Sequence, residues 1–323
     1  MKSTPKILLI LCLSVIYLPV FAQDESPLQP FFNRVMLNPA FAGFDKQTTF
    51  QTGNQFSQYD SISSYNLFYA SYDTYSDKLK GGIAFFFQQG LIGSKNISTT
   101  ELGFAYSGSP RKITNGTIRF AANTNFLLAT KQWMLTILDK MAINELNTSN
   151  PPGSEFFRYI ILKPRLSLLM EISSVTWGLS VGSGWKMDIN TSDSDEKKAF
   201  PLNGSFYLAK NREGFHKGLH SRPFVINPEL LIYYEPDYIF CRLNLYAELT
   251  NRSFGAFLQG DFSHQNYGAG GIVGFASDNL RINLSAGAGV NGSTKNLGLT
   301  AELSLILRVS QIDYSKINPW EPQ

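Results

Sequence analysis

The sequence predicts an all-β protein, a transmembrane antiparallel up-and-down β-barrel of about fourteen strands with a short N-terminal periplasmic arm. Three observations lead there. Runs of strand length with a period of two recur from residue 47 to residue 309. An export signal precedes them. Charged residues make up only 16% of the chain while aromatics reach 14%, alongside 26 glycines.

The period is plainest in the last run, LGLTAELSLILR. Leu297, Leu299, Ala301, Leu303, Leu305 and Leu307 fall on one face, and Gly298, Thr300, Glu302, Ser304 and Arg308 on the other, with Ile306 as the exception. Successive side chains of a strand point to opposite faces, so an unbroken apolar side marks a strand between two different media. Val175, Trp177, Leu179 and Val181 repeat the pattern against Thr176, Gly178, Ser180 and Gly182. Ile239, Cys241, Leu243, Leu245, Ala247 and Leu249 repeat it against Arg242, Asn244 and Glu248, and Leu280 to Val290 against Arg281, Asn283, Ser285, Gly287 and Gly289. The polar sides carry Gly, Ser, Thr, Asn and sparse charges of both signs. A secreted β-sandwich, the competing architecture, would present many Lys and Glu to bulk water there.

In chain order, residues 1–22 form a signal peptide. Lys2 and Lys6 precede an apolar run, Ile7 to Val20, and Val20-Phe21-Ala22 supplies small residues at the cleavage positions. Cys12 lies inside that run, so a lipoprotein site is not expected, and Cys241 is then alone and cannot form an intrachain disulfide. Loss of Lys2 and Lys6 leaves 26 basic against 25 acidic side chains. No concentrated basic excess points to nucleic acid. The mature sequence has no apolar stretch of about 18 residues or more, so a spanning helix is not expected.

Residues 23–45 contain Pro27, Pro30 and Pro39 and cannot be a long helix, hence the periplasmic arm. Strands are expected near 47–57, 63–74, 79–89, 96–107, 116–127, 158–170 and 174–185. The rest are near 200–210, 223–235, 238–249, 253–263, 266–276, 279–290 and 296–309. Residues 46–309 thus form the barrel and 310–323 a periplasmic tail. Tight links (Tyr75 to Lys78, Glu171 to Ser174, Thr250 to Arg252, Ala276 to Asn279) follow even-numbered strands and belong at the periplasmic side. Long links, Ala129 to Phe157 and Lys186 to Ala199, follow the fifth and seventh; Lys210 to Arg222 breaks the rule. Trp133, Trp177, Trp185, Tyr233 and Tyr234 sit near strand ends, as interface girdles require.

Chemistry is sparse. His216 and His220 are four apart with Glu213 near, but their glycine-containing segment does not favour the helix that would make them a metal pair. His264 adjoins Ser263 and points to the opposite face, so no Ser-His hydrolase pair forms. Gly268, Gly270, Gly271 and Gly274 open no helix and read as small residues that ease curvature or leave interior room. No cofactor, no metal and no enzymatic activity are expected. Glu101, Arg119, Arg165, Arg242, Glu248, Asp261, Arg281, Glu302 and Arg308 map to the polar sides. They read either as a lumen-filling charge network or as the constriction of a selective channel.

The arm ends in NRVMLNPAFAGFDKQTTF. Leu37, Asn38, Pro39, Ala40, Phe41, Ala42 and Gly43 resemble the opening element of the PorP/SprF family of Bacteroidota outer-membrane proteins. Ala70-Ser71-Tyr72-Asp73 and Gly81-Gly82-Ile83-Ala84 resemble it further. The chain departs from the family in its middle third and in its tail, SQIDYSKINPWEPQ, and reads as a divergent member. The resemblance implies a place in the outer membrane, in contact with lipid, serving type IX secretion or gliding. It implies periplasmic secretion or peptidoglycan-associated partners and a secreted adhesin-like protein. Leu37 to Gly43 would then order the arm against the barrel or bind a partner. A small-solute channel is the rival function.

Overall fold

The computed structural model describes residues 33–58, 64–92, 97–131, 158–188, 199–210, 225–235, 238–248, 251–263, 265–277, 279–291 and 297–309. Among the described residues, a one-turn helix α1 (Arg34–Leu37) and a 3-10 turn (Pro39–Phe41) precede fifteen strands. These are β1 (Thr48–Gln58), β2 (Ser64–Ser76), β3 (Gly81–Ile92), β4 (Ile97–Gly108), β5 (Arg111–Ile113), β6 (Gly116–Lys131), β7 (Arg158–Ile172) and β8 (Val175–Asp188). There follow β9 (Ala199–Lys210), β10 (Val225–Glu235), β11 (Tyr238–Glu248), β12 (Arg252–Asp261), β13 (Asn266–Ala276), β14 (Leu280–Asn291) and β15 (Leu297–Val309).

Neighbours in sequence, β4 and β5 excepted, pair antiparallel, and two further pairings, β1 with β15 and β4 with β6, close the sheet on itself. Fourteen strands make the wall. The fifteenth, β5, was not expected from the sequence. Its residues pair with the start of β6, Arg111 opposite Ile118, so it carries the line of β4 onward past Ser109-Pro110. Pro110 has no N–H to give to a ladder, which explains the interruption. Pro164 interrupts another: the β7–β8 pairs Leu162↔Trp185 and Arg165↔Gly182 stand on either side of it.

The short links between β2 and β3, and between β7 and β8, lie at one end of the barrel, here called the turn end. The long links, Trp133, Glu213, His216, His220, His264 and the tail lie outside the described residues. Trp185 and Tyr234 are exposed, as girdle residues would be.

Alternation decides the facing. Leu297, Leu299, Leu303, Leu305 and Leu307 are exposed on the outer surface, while Glu302, Ser304 and Ile306 are buried inside. The exception in the sequence pattern, Ile306, is thus an apolar residue in the interior. It is not alone. Ala84, Phe86, Ala105, Ala121, Leu169, Tyr207, Ala209, Leu231 and Phe240 also point inward and form one apolar core with the arm.

Glycines seat the inward rings. Gly53 pairs with Tyr69, Gly103 with Phe86 and Gly270 with Phe257 across adjacent strands. A Cβ would lie 2.3 Å from the Tyr69 ring at Gly53, 2.0 Å from Phe86 at Gly103, and 2.4 Å from Phe257 at Gly270. The ring covers the backbone that the glycine leaves bare, a known device for stabilising glycine in sheets.

Leu284 faces outward at 50% exposure and Ser285 inward at 1%. Leu284→Arg should block assembly into membranes, since a cation at the lipid midplane costs roughly 2–4 kcal/mol. An arginine at Ser285 would meet full packing, so half-buried Thr300, inward on β15, is the sounder control. Thr300→Arg should assemble normally in lipid vesicles, as read by the heat-dependent gel shift of the folded barrel.

Candidate functional site

The described part of the arm, residues 33–44, packs inside the turn end of the barrel, and the physical reason is its composition. Val35, Leu37, Pro39, Ala40, Phe41 and Ala42 are all buried. Each large apolar side chain gains about 1.5–3 kcal/mol when removed from water. The inward apolar residues of β3, β4, β6, β7, β9, β10 and β11 offer the matching surface. Phe41 stands edge-on to Tyr207, with ring centroids 5.6 Å apart.

Asn38 organises the turn. Its Oδ1 accepts the Ala40 N–H at 2.9 Å, capping the 3-10 turn that Pro39 opens. Asparagine caps well because its side chain replaces the missing intrahelical acceptor, and proline at the first position loses no bond. The Asn38 N–H donates to the Arg34 carbonyl at 2.9 Å and ends α1. Its Nδ2 reaches the β7 wall, donating to the Leu168 carbonyl at 3.2 Å. A Cβ at Gly178 would fall 2.6 Å from that nitrogen, so the bare backbone of β8 makes room for the amide.

Other bonds fix the remaining residues to other strands. The Ser71 hydroxyl of β2 donates to Asn33 Oδ1 at 3.3 Å, and the Ser107 hydroxyl of β4 to the Ala40 carbonyl at 3.2 Å. The Gly43 N–H donates to Asp73 Oδ2 at 2.9 Å. Gly43 has φ of +59°, a conformation glycine adopts without strain. There the arm touches the start of β3: a Cβ at Gly82 would lie 1.8 Å from the Ala42 carbonyl oxygen. Arg119 of β6 donates to the Phe44 carbonyl at 3.3 Å and lies 5.0 Å from the Phe44 ring centre. The arm therefore fills the turn end of the lumen and is tied to β2, β4, β6 and β7.

Arg34 is exposed to the interior space. Desolvation works against its charge, but Tyr207, Asp45, Glu229 and Glu171 around it outweigh that, and its pKa is raised. The arm thus carries a cation into surroundings that favour one.

The wall charges named from the sequence fall into several local groups. Arg242, 1% exposed, donates to Asn244 Oδ1 at 3.0 Å and Gln259 Oε1 at 3.2 Å, with its guanidinium 4.1 Å from the Phe257 ring centre. Glu302, also 1% exposed, accepts the Tyr69 hydroxyl at 2.6 Å. Arg281 donates to Asn283 at 3.2 Å, and Asp261 accepts the Ser263 N–H at 3.0 Å. Glu101 meets Lys163 at 3.6 Å. Arg165 is half-buried on β7, and Arg308 lies in the field of Arg34, Asp45, Arg281 and Asp73. Glu248 lies opposite Ser253 in the ladder; its side chain is outside the described residues.

Sequence reasoning missed Glu229, Asp73, Tyr69, Gly82 and Gly178. Glu229 lies in the field of Arg34, Arg281 and Arg242. The two-residue period does place it inward with Asn227, but inward Leu231 and outward Pro228 blur that strand. Asp73 and Gly82 stood within segments noted for resemblance, without a role.

A closed antiparallel wall, apolar outside and polar or tightly filled inside, defines an outer-membrane β-barrel. The chain belongs to a family described as type IX secretion system membrane protein PorP/SprF, whose model matches residues 20–307 of its 323. That is a secretion-system membrane family, and the protein is a type IX secretion barrel of the outer membrane. Its fold is similar to that of the CymD monoaromatic hydrocarbon channel, with TM-score 0.56 and 9% identity over 90% of this chain and 95% of that one. CdiB from Acinetobacter baumannii (TM-score 0.44, 7% identity, 80% of this chain and 60% of that one) matches more loosely. So does a mutant of the Rh. blastica porin (0.35, 7%, 81% and 99%). No functionally curated protein matches the sequence.

Asn38→Ala should destabilise the barrel by about 1–3 kcal/mol, since it leaves buried groups without partners. Asn38→Asp should cost at least as much, because it keeps the cap acceptor but sets a buried carboxylate against the Leu168 carbonyl; urea unfolding in lipid vesicles compares them. Gly82→Val should be worse than either, lowering the temperature of the gel shift, because its Cβ would sit inside the Ala42 carbonyl.

Proposed function

We propose that this barrel is a non-enzymatic docking and attachment component of the type IX secretion or gliding apparatus. It holds periplasmic secretion or peptidoglycan-associated proteins at its turn end and helps to export, or to retain at the surface, a secreted adhesin-like protein. The observation that carries this reading is the arm. Leu37 to Gly43 is part of the interior apolar core and bonded to three strands, with Phe44 bonded to a fourth, which supports a stable scaffold over an open conduit. The short β2–β3 and β7–β8 links at that end support docking of rigid partners, since they leave little chain to rearrange. The segments between β6 and β7 and between β8 and β9, at the other end, are long enough to meet an exported protein.

A small-solute channel is separated by conductance. Purified barrel in planar bilayers should stay electrically silent, and barrel extracted gently from native membranes should retain a periplasmic or secreted polypeptide. A steady open-pore current, with no retained polypeptide, would overturn the proposal.

A further inference from the structure

The turn end is not uniform around its circumference. Between β2 and β3 the chain reads Asp77-Lys78-Leu79-Lys80, all exposed, and the adjoining β5 carries exposed Arg111, Lys112 and Ile113. Hydrogen bonds make the two segments one rigid unit. The Tyr106 hydroxyl donates to the Leu79 carbonyl at 2.9 Å, the Ser109 hydroxyl donates to the Lys80 carbonyl, and Ser109 also bonds the Tyr75 hydroxyl at 3.1 Å. Lys46, exposed where the arm leaves the lumen, stands 5.5 Å over the Tyr75 ring. Lys46, Lys78, Lys80, Arg111 and Lys112 thus share one sector, with Asp45, Asp77 and Glu171 as acids beside them. Leu79 (53% exposed) and Ile113 (39%) add apolar surface. The tight link between β7 and β8, Ser173-Ser174, carries no charge.

We propose that this cationic ledge is the docking site for an acidic segment of a periplasmic partner protein; the inference rests on the docking reading above and assigns that contact to one sector. Complementary charge steers and orients protein association, and a rigid donor array loses little freedom on binding. One observation favours protein over anionic phospholipid, the other polyanion at this level: Lys112 pairs with Thr117, whose side chain bonds Glu171 on the inner side of the wall, so the ledge turns toward the mouth as well as toward lipid.

The test is zero-length carbodiimide coupling, which joins a lysine amine to a carboxylate in contact with it, applied to native outer membranes before purification and peptide mass analysis. Lys78, Lys80 or Lys112 should be found joined to Asp or Glu of one periplasmic polypeptide. The variant Lys78→Gln/Lys80→Gln/Arg111→Gln/Lys112→Gln should fold, with an unchanged gel shift, yet recover that polypeptide at about one tenth of the normal yield. Recovery of a periplasmic partner in undiminished yield by the variant would overturn the ledge and leave the docking reading standing. Absence of any partner from the unaltered protein would sink the docking reading and the ledge with it. If the variant loses only affinity for phosphatidylglycerol-containing vesicles, with partner yield unchanged, the ledge is a lipid contact and the proposal is wrong.

Discussion

Fourteen strands closing on themselves enclose more space than their own inward side chains fill at every level, and an unfilled apolar interior is costly in a folded protein. Here the chain supplies the missing volume from its own N-terminal side. The turn end has an interior of alanines, aromatics and leucines that would be unfavourable beside water; the arm's Val35, Leu37, Ala40 and Phe41 make it a core. Glu302, Ser304 and Asn283 lie on neighbouring β14 and β15 and are just as buried, but they are held by polar partners instead. One interior therefore uses two kinds of packing.

Glycine is what lets these parts approach. At Gly82 and Gly178 the missing Cβ admits a carbonyl oxygen and an amide of the arm, and at Gly53, Gly103 and Gly270 it admits an aromatic ring. The same residue type thus serves arm docking and wall cohesion. In a barrel rich in glycine, any single one is best understood by what lies over it.

The strands were legible because each separates two media, which forces a period of two. The expected 266–276 matches β13 to the residue, and most other bounds agree within two or three. β5 was not legible, because three residues after a proline carry no periodic signal. The arm was half legible. Asn38-Pro39 announces a capped turn through local chemistry, but its partner Leu168 is 130 residues away and nothing local points there. Inward Phe86, Leu169 and Leu231 occupy a face where the two-residue period leads one to expect polar side chains, and they are the other half of a core. The period says which face a charge occupies but not what it bonds, since Arg242 bonds an amide on its own strand and another on β12.

The pairing of β1 with β15 has a bearing on how such a molecule can be made. The seam joins the earliest strand to the latest, and the enclosed stretch leads directly into the earliest. A curved, still open sheet can therefore gather around its own leading segment, so that nothing need be pushed through a finished ring.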